Sequence, residues 1–112
     1  FKAYNPSVGM EMDPVFSGAS TSEVDRSLTL AEAAFDEYRQ KPPGDRAEFL
    51  ERVAGEIEAL GDDLIQRGMA ETGLPEARLV GERGRTVGQI RMFADLVREG
   101  SWVDARIDHA LP

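Results

Sequence analysis

The sequence predicts a mainly α chain, about four helices behind a short N-terminal β-hairpin. Three observations carry this. Apolar residues recur at steps of three and four from about residue 20 to residue 100. Pro and Gly punctuate that pattern at Pro42-Pro43, Gly61, Gly73 with Pro75, and Gly100. Ahead of it, Asn5-Pro6 and Gly9 separate two short runs that contain apolar residues.

In those first residues Pro6 fixes φ and Gly9 tolerates positive φ, which together make a turn between two strands. Pro14 cannot donate to a ladder, so the second strand is expected to be an edge or a short piece. A hairpin this small is marginal alone and needs a surface to pack on. The hairpin is assigned to residues 1–19, the helices to 20–100, and a loop or strand to 101–112.

Ser20 and Glu23 have the spacing of a capping box, in which each side chain satisfies the other residue's otherwise unpaired N–H. Val24, Leu28, Ala31, Phe35 and Tyr38 then form one stripe of the first helix. Glu23 and Asp25 in its first turn and Arg39 in its last suit the helix dipole. Pro42-Pro43 ends it.

Pro43 suits the first turn of a second helix, whose stripe is expected to be Leu50, Val53, Ile57 and Leu60. Arg46, Glu48, Glu51, Arg52, Glu56 and Glu58 cover the rest. Gly61 breaks or bends it. A third helix from about Asp62 carries Leu64, Ile65 and Met69 and stops at Gly73, a favourable left-handed cap. The fourth runs from about Pro75 to Glu99. Its expected stripe is Ala77, Val80, Gly81, Gly84, Val87 and Gly88, continuing as Ile90, Phe93, Ala94 and Val97. Arg78, Glu82, Arg85 and Gln89 fall opposite, with Arg78–Glu82 and Glu82–Arg85 at pairing distance. SWVDARIDHALP, after Gly100, has no helical period.

The 112 residues correspond to one domain, and 41% hydrophobic with 30% charged residues mark a folded rather than disordered chain. A net charge of −8 argues against a nucleic-acid partner, because no excess positive charge exists to neutralise phosphates. No apolar run approaches the roughly 18–20 residues of a membrane span, and no secretory leader pattern is present. The simplest location is cytoplasmic. The chain opens at Phe1 without an initiator Met and closes on DHALP, so both ends read as cut from something longer.

Without cysteine the chain offers no disulfide, thiolate metal site or thiol nucleophile, and its one histidine, His109, cannot form a His-pair metal motif. The run GERGRTVG beside Arg and Thr invites a phosphate-loop reading. It matches neither Gly, four residues, Gly-Lys-Ser/Thr nor GxGxxG, and no apolar strand precedes it. Gly81, Gly84 and Gly88 each cost about 1 kcal/mol of helix propensity relative to Ala. That cost is reasonable where close packing or a ligand uses the space. Asp62-Asp63 and Glu56/Glu58 read as a cap and a solvated face, because neither spacing brings two carboxylates together on a helix. Asp108-His109 could form an oriented base. The arginines 78, 83, 85, 91 and 98 are interleaved with acids, as on a salt-bridged surface. No residue is assigned to catalysis, cofactor binding or metal ligation.

The order of features resembles the N-terminal part of the aldehyde dehydrogenase superfamily. Asn5-Pro6-Ser7-Val8-Gly9 is similar to the family's NPxTG. Ser20 to Asp25 resembles its (S/T)xEDVD-type helix start, and Arg46 with Leu50 its next helix. Glu71-Thr72-Gly73-Leu74-Pro75 resembles ETGKP. Val8 and Leu74 depart from the usual Thr and Lys. GERGRTVGQIRMFADLVREGSW looks like the branch that oxidises α-ketoglutarate semialdehyde (2,5-dioxovalerate) to 2-oxoglutarate.

The resemblance implies an α/β parent with a Rossmann-like cofactor domain. There a cysteine thiolate attacks the aldehyde, an Asn and a backbone N–H hold the oxyanion, NAD or NADP takes the hydride, and a Glu-activated water releases the acid. None of those residues falls in this chain. Its implied role is scaffolding within residues 1–112, with the remainder of the same polypeptide as partner and a homo-oligomeric, inactive-as-a-fragment setting. A second reading from the residues themselves is a self-contained acidic helical interaction domain, whose glycine face receives a partner helix. In the first reading, under-covered apolar faces on the first, second and fourth helices predict self-association or partial order of the isolated chain.

Overall fold

The computed structural model describes residues 1–107. Strands β1 (Lys2–Asn5) and β2 (Met10–Val15) pair antiparallel. The turn is held by Gly9 N–H donating to the Asn5 carbonyl at 2.9 Å and by Ser7 N–H donating to Asn5 Oδ1 at 2.9 Å. Gly9 takes φ 71°, which explains glycine there. The register runs Asn5 to Met10, Tyr4 to Glu11 and Ala3 to Met12, then slips so that Lys2 faces Val15. Pro14 sits in that slip, where its missing N–H costs the ladder nothing.

Helix α1 (Thr21–Arg39) begins with the expected capping box. Ser20 Oγ accepts from Glu23 N–H at 3.3 Å, and Ser20 N–H donates to Glu23 Oε2 at 2.7 Å. The Ser20 N–H, and after it the Ser20 hydroxyl donating to Glu23 Oε2 at 2.8 Å, hold the Glu23 carboxyl below its usual pKa. The predicted stripe exists but is not buried: α1 buries none of its residues, and Leu28 and Phe35 are 65% and 63% exposed. At its end, the Tyr38 ring meets the edge of Phe49 at 6.1 Å.

Helices α2 (Pro43–Ala59), α3 (Gly61–Thr72) and α4 (Glu76–Glu99) form the packed part. α2 and α4 run antiparallel. Arg46, near the start of α2, lies over Trp102 just beyond α4, whereas the Gly61 carbonyl after α2 accepts from Arg83 Nη1 at 2.8 Å. The core consists of Ala47 and Ala54 from α2, Ile65 from α3, and Val87 and Ala94 from α4.

This core revises two expected stripes. On α2 the buried positions are alanines, whereas Leu50, Val53 and Ile57 are half-buried and Leu60 is exposed. On α4 the covered face runs through Leu79, Arg83, Val87, Ile90, Ala94 and Val97. Ala77, Gly81, Gly84 and Gly88 lie roughly a third of a turn away and are exposed. The expected stripe had merged these two faces. Small side chains let two helices approach closely, so alanine takes the contact seam and larger residues flank it.

Gly61 turns the chain with φ 56° between α2 and α3, and Gly73 ends α3 in the left-handed conformation, φ 71°. A Cβ at Gly73 would stand 3.4 Å from Ser7 Oγ and 3.5 Å from Pro6 Cγ, so the hairpin turn is seated against the end of α3. Arg67 adds a tie, Nη1 donating to the Asp13 carbonyl at 2.6 Å. Gly68 admits Leu79 of α4: a Cβ there would lie 3.1 Å from Leu79 Cδ1. After Gly100 (φ 81°) comes one 3₁₀ turn, Ser101–Val103, where the sequence suggested loop or strand, followed by irregular chain.

Candidate functional site

The glycine-rich run of α4 does not build an anion cradle. Gly81, Gly84 and Gly88 lie inside the helix, where each N–H is already bonded to the preceding turn. A Cβ at any of the three would meet nothing within 4 Å. The face is smooth and open.

The arginines around it are engaged within the chain. Glu82 accepts from Arg85 at 2.8 Å and from Arg78 at 2.6 Å, and these cations, Arg85 foremost, hold its carboxyl below the usual range. Arg98 pairs with Asp95 at 2.9 Å. Arg83 holds the Gly61 carbonyl. Arg91 crosses to α2, its Nη2 2.6 Å from Glu58 Oε2 and its Nε 3.6 Å from Glu51. Arg83 and Arg91 therefore tie α4 to its neighbours, whereas Arg78, Arg85 and Arg98 pair within it.

The carboxylates separate as their spacing predicts. Asp62 and Asp63 lie in the first turn of α3, where negative charge is favoured. Glu58 turns toward α4, whereas Glu56 lines the opposite side of α2. Among the described residues no group of three or more His, Cys, Asp or Glu side chains is placed to hold a metal ion. Asp108 and His109 lie outside the described residues.

What the fold does present is an apolar surface. An open groove of about 710 Å³ runs along the outer face of α2, with Phe49, Val53, Ile57 and Leu60 among its lining residues. It continues past Tyr38 and Phe49 toward the exposed stripe of α1. Exposed apolar surface of this extent, on a chain with so slim a core, is of the kind that an interaction or further packing covers. Phe49 was missed in the sequence, although it precedes Val53 and Ile57 at steps of four. Ala47 and Ala54 carried no hydropathy signal that could have separated them from surface alanines.

Comparison with known proteins agrees with the order of motifs. A family model described as the aldehyde dehydrogenase family matches residues 1–108. The chain is 56% identical over 112 residues to alpha-ketoglutaric semialdehyde dehydrogenase 2 of Azospirillum brasilense, a match covering 99% of this chain and 21% of that protein. It is 47% identical over 98 residues to the alpha-ketoglutaric semialdehyde dehydrogenase of Acinetobacter baylyi, covering 88% of this chain and 19% of that protein. With the 3-sulfolactaldehyde dehydrogenase of Pseudomonas putida it shares 30% over 95 residues, covering 85% and 19%. The chain spans about a fifth of the length of the curated relatives it matches.

Proposed function

Because the chain belongs to the aldehyde dehydrogenase family, we propose that it is the N-terminal part of the cofactor-binding domain of a longer NAD(P)-dependent enzyme. That enzyme oxidises α-ketoglutarate semialdehyde to 2-oxoglutarate. The observation that carries this reading is the gradient of identity. It stands at 56% and 47% toward two α-ketoglutaric semialdehyde dehydrogenases and falls to 30% toward a relative named for another aldehyde.

In this reading residues 1–112 are scaffold and carry no chemistry alone. The sequence contains no cysteine, so a thiol nucleophile comes from another segment of the polypeptide. NAD or NADP accepts the hydride when bound. The described residues build no pyrophosphate cradle, since the glycine run has its N–H groups committed to the helix. What this chain supplies is position: the hairpin seated on α3, the clamped α2–α4 pair, and the apolar face of α1 and α2 for the rest of the domain. The reading carries with it a homo-oligomeric, cytoplasmic enzyme. No helix among the described residues is long and apolar enough to cross a membrane.

The test is a substrate panel on a polypeptide of the relatives' length that contains this chain. Highest kcat/KM for α-ketoglutarate semialdehyde is expected. A preference for sulfolactaldehyde, with little turnover of the ketoacid semialdehyde, would overturn the assignment.

A further inference from the structure

The carboxylates of α2 divide by side. Toward α4, Glu51 and Glu58 share Arg91. Along the groove, Asp45, Glu48 and Glu56 have no ion-pair partner within 4 Å among the described residues; Arg52 is the one cation lining its main part, and Lys41 and Arg46 line its continuation beside Asp45. Beside these acids, Phe49, Val53, Ile57 and Leu60 follow at steps of four, four and three. That spacing makes a straight apolar seam along a helix, the shape that receives another helix's i, i+3, i+4, i+7 anchors.

We propose that the α2 groove receives a Lys- or Arg-bearing amphipathic helix from the same polypeptide, lying outside residues 1–112. This inference rests on the reading that the chain is part of a longer dehydrogenase. The relatives are about five times as long as the matched region, so the reading supplies a source for such a helix. A second copy of this chain is the poorer occupant. Its exposed apolar helix, α1, carries Glu23, Asp25, Glu32, Asp36 and Glu37 against Arg26 and Arg39, and would set like charges beside Asp45, Glu48 and Glu56. Like-charge juxtaposition disfavours a partner, whereas a cationic rim would find these carboxylates unpaired.

The experiment places a photoreactive side chain in the groove of the longer polypeptide, Phe49→p-benzoylphenylalanine, and maps the cross-link by mass spectrometry. An intrachain cross-link to a helical segment bearing Lys or Arg beside its apolar stripe is expected. A cross-link to a second subunit, a link to an acidic or uncharged segment, or no cross-link would overturn the proposal. A second measurement needs no photochemistry. The pair Glu48→Lys with Glu56→Lys should lower Tm in the longer polypeptide and leave the 112-residue chain unchanged or slightly stabilised; equal effects in both would overturn it. Dehydrogenase activity of the same preparation separates the two readings. An active enzyme without the cross-link sinks only the groove assignment, and an inactive one sinks the dehydrogenase reading while the cross-link still decides the groove.

Discussion

Arg91 on α4 forks onto Glu58 on α2, Nη2 to Oε2 at 2.6 Å and Nη1 to Oε1 at 3.1 Å. This bidentate bond spans the two helices that supply four of the five core residues, and it lowers the Glu58 pKa from the usual carboxylate value. A carboxyl whose pKa is lowered by folding contributes stability that is present above its unfolded pKa and lost as pH falls toward the folded one. Tm of the chain should therefore be flat from about pH 7 to about pH 5 and fall below about pH 4.5. The Arg91→Met variant should have a lower Tm at neutral pH and a shallower acid limb. Thermal melts across that range check it, and superimposable curves for the two proteins would refute the role of this pair.

Ala54, fully buried between α2 and α4, leaves no room for a larger side chain. Ala54→Leu is expected to lose about 1–3 kcal/mol by overpacking. Ala31→Leu, on the uncovered stripe of α1, should stay within about 0.5 kcal/mol of the parent. Urea denaturation distinguishes them; equal midpoints would mean that the alanine seam is not the contact.

How much of this was legible in the sequence depended on where the signal was local. The capping box at Ser20 and Glu23, the breaks at Gly61, Gly73 and Gly100, and the Arg78–Glu82–Arg85 ladder are all set by residues within four of one another. Each was found where predicted. The packing seam was not, because it depends on which face meets a partner. Leu50, Val53, Ile57 and Leu60 dominate the hydropathy of α2, yet Ala47 and Ala54 make the contact, since only small residues let α4 approach. On α4 the glycines share spacing with the apolar residues closely enough to merge two faces. The α1 stripe was read correctly as amphipathic, but nothing in its own residues says that the described residues leave it uncovered. Of the candidate surface, the sequence showed three of the four apolar residues named for the α2 groove and missed Phe49.

Gly84 and Gly88 provide a sign test. In the 112-residue chain a Cβ at either meets open space, so Gly84→Ala and Gly88→Ala should each stabilise α4 by up to about 1 kcal/mol. In a longer polypeptide whose other segments rest on that smooth face, the same changes should destabilise. Paired melts of the two lengths check it. Stabilisation in both would show that the glycines keep no neighbour close.

Val24, Leu28 and Phe35 expose an apolar stripe along the polar-flanked helix α1. Sedimentation velocity should find the isolated chain associating as concentration rises, and Leu28→Glu with Phe35→Glu should return it to monomer. A compact monomer for the parent chain would count against the idea that these faces await cover.

The most direct measurement of the central claim is aldehyde-dependent NAD(P)H formation, read at the nicotinamide absorbance with α-ketoglutarate semialdehyde as substrate. The polypeptide of the relatives' length should turn over and the 112-residue chain should not. Turnover by the 112-residue chain alone, or none by the longer polypeptide with either nucleotide, would contradict the account.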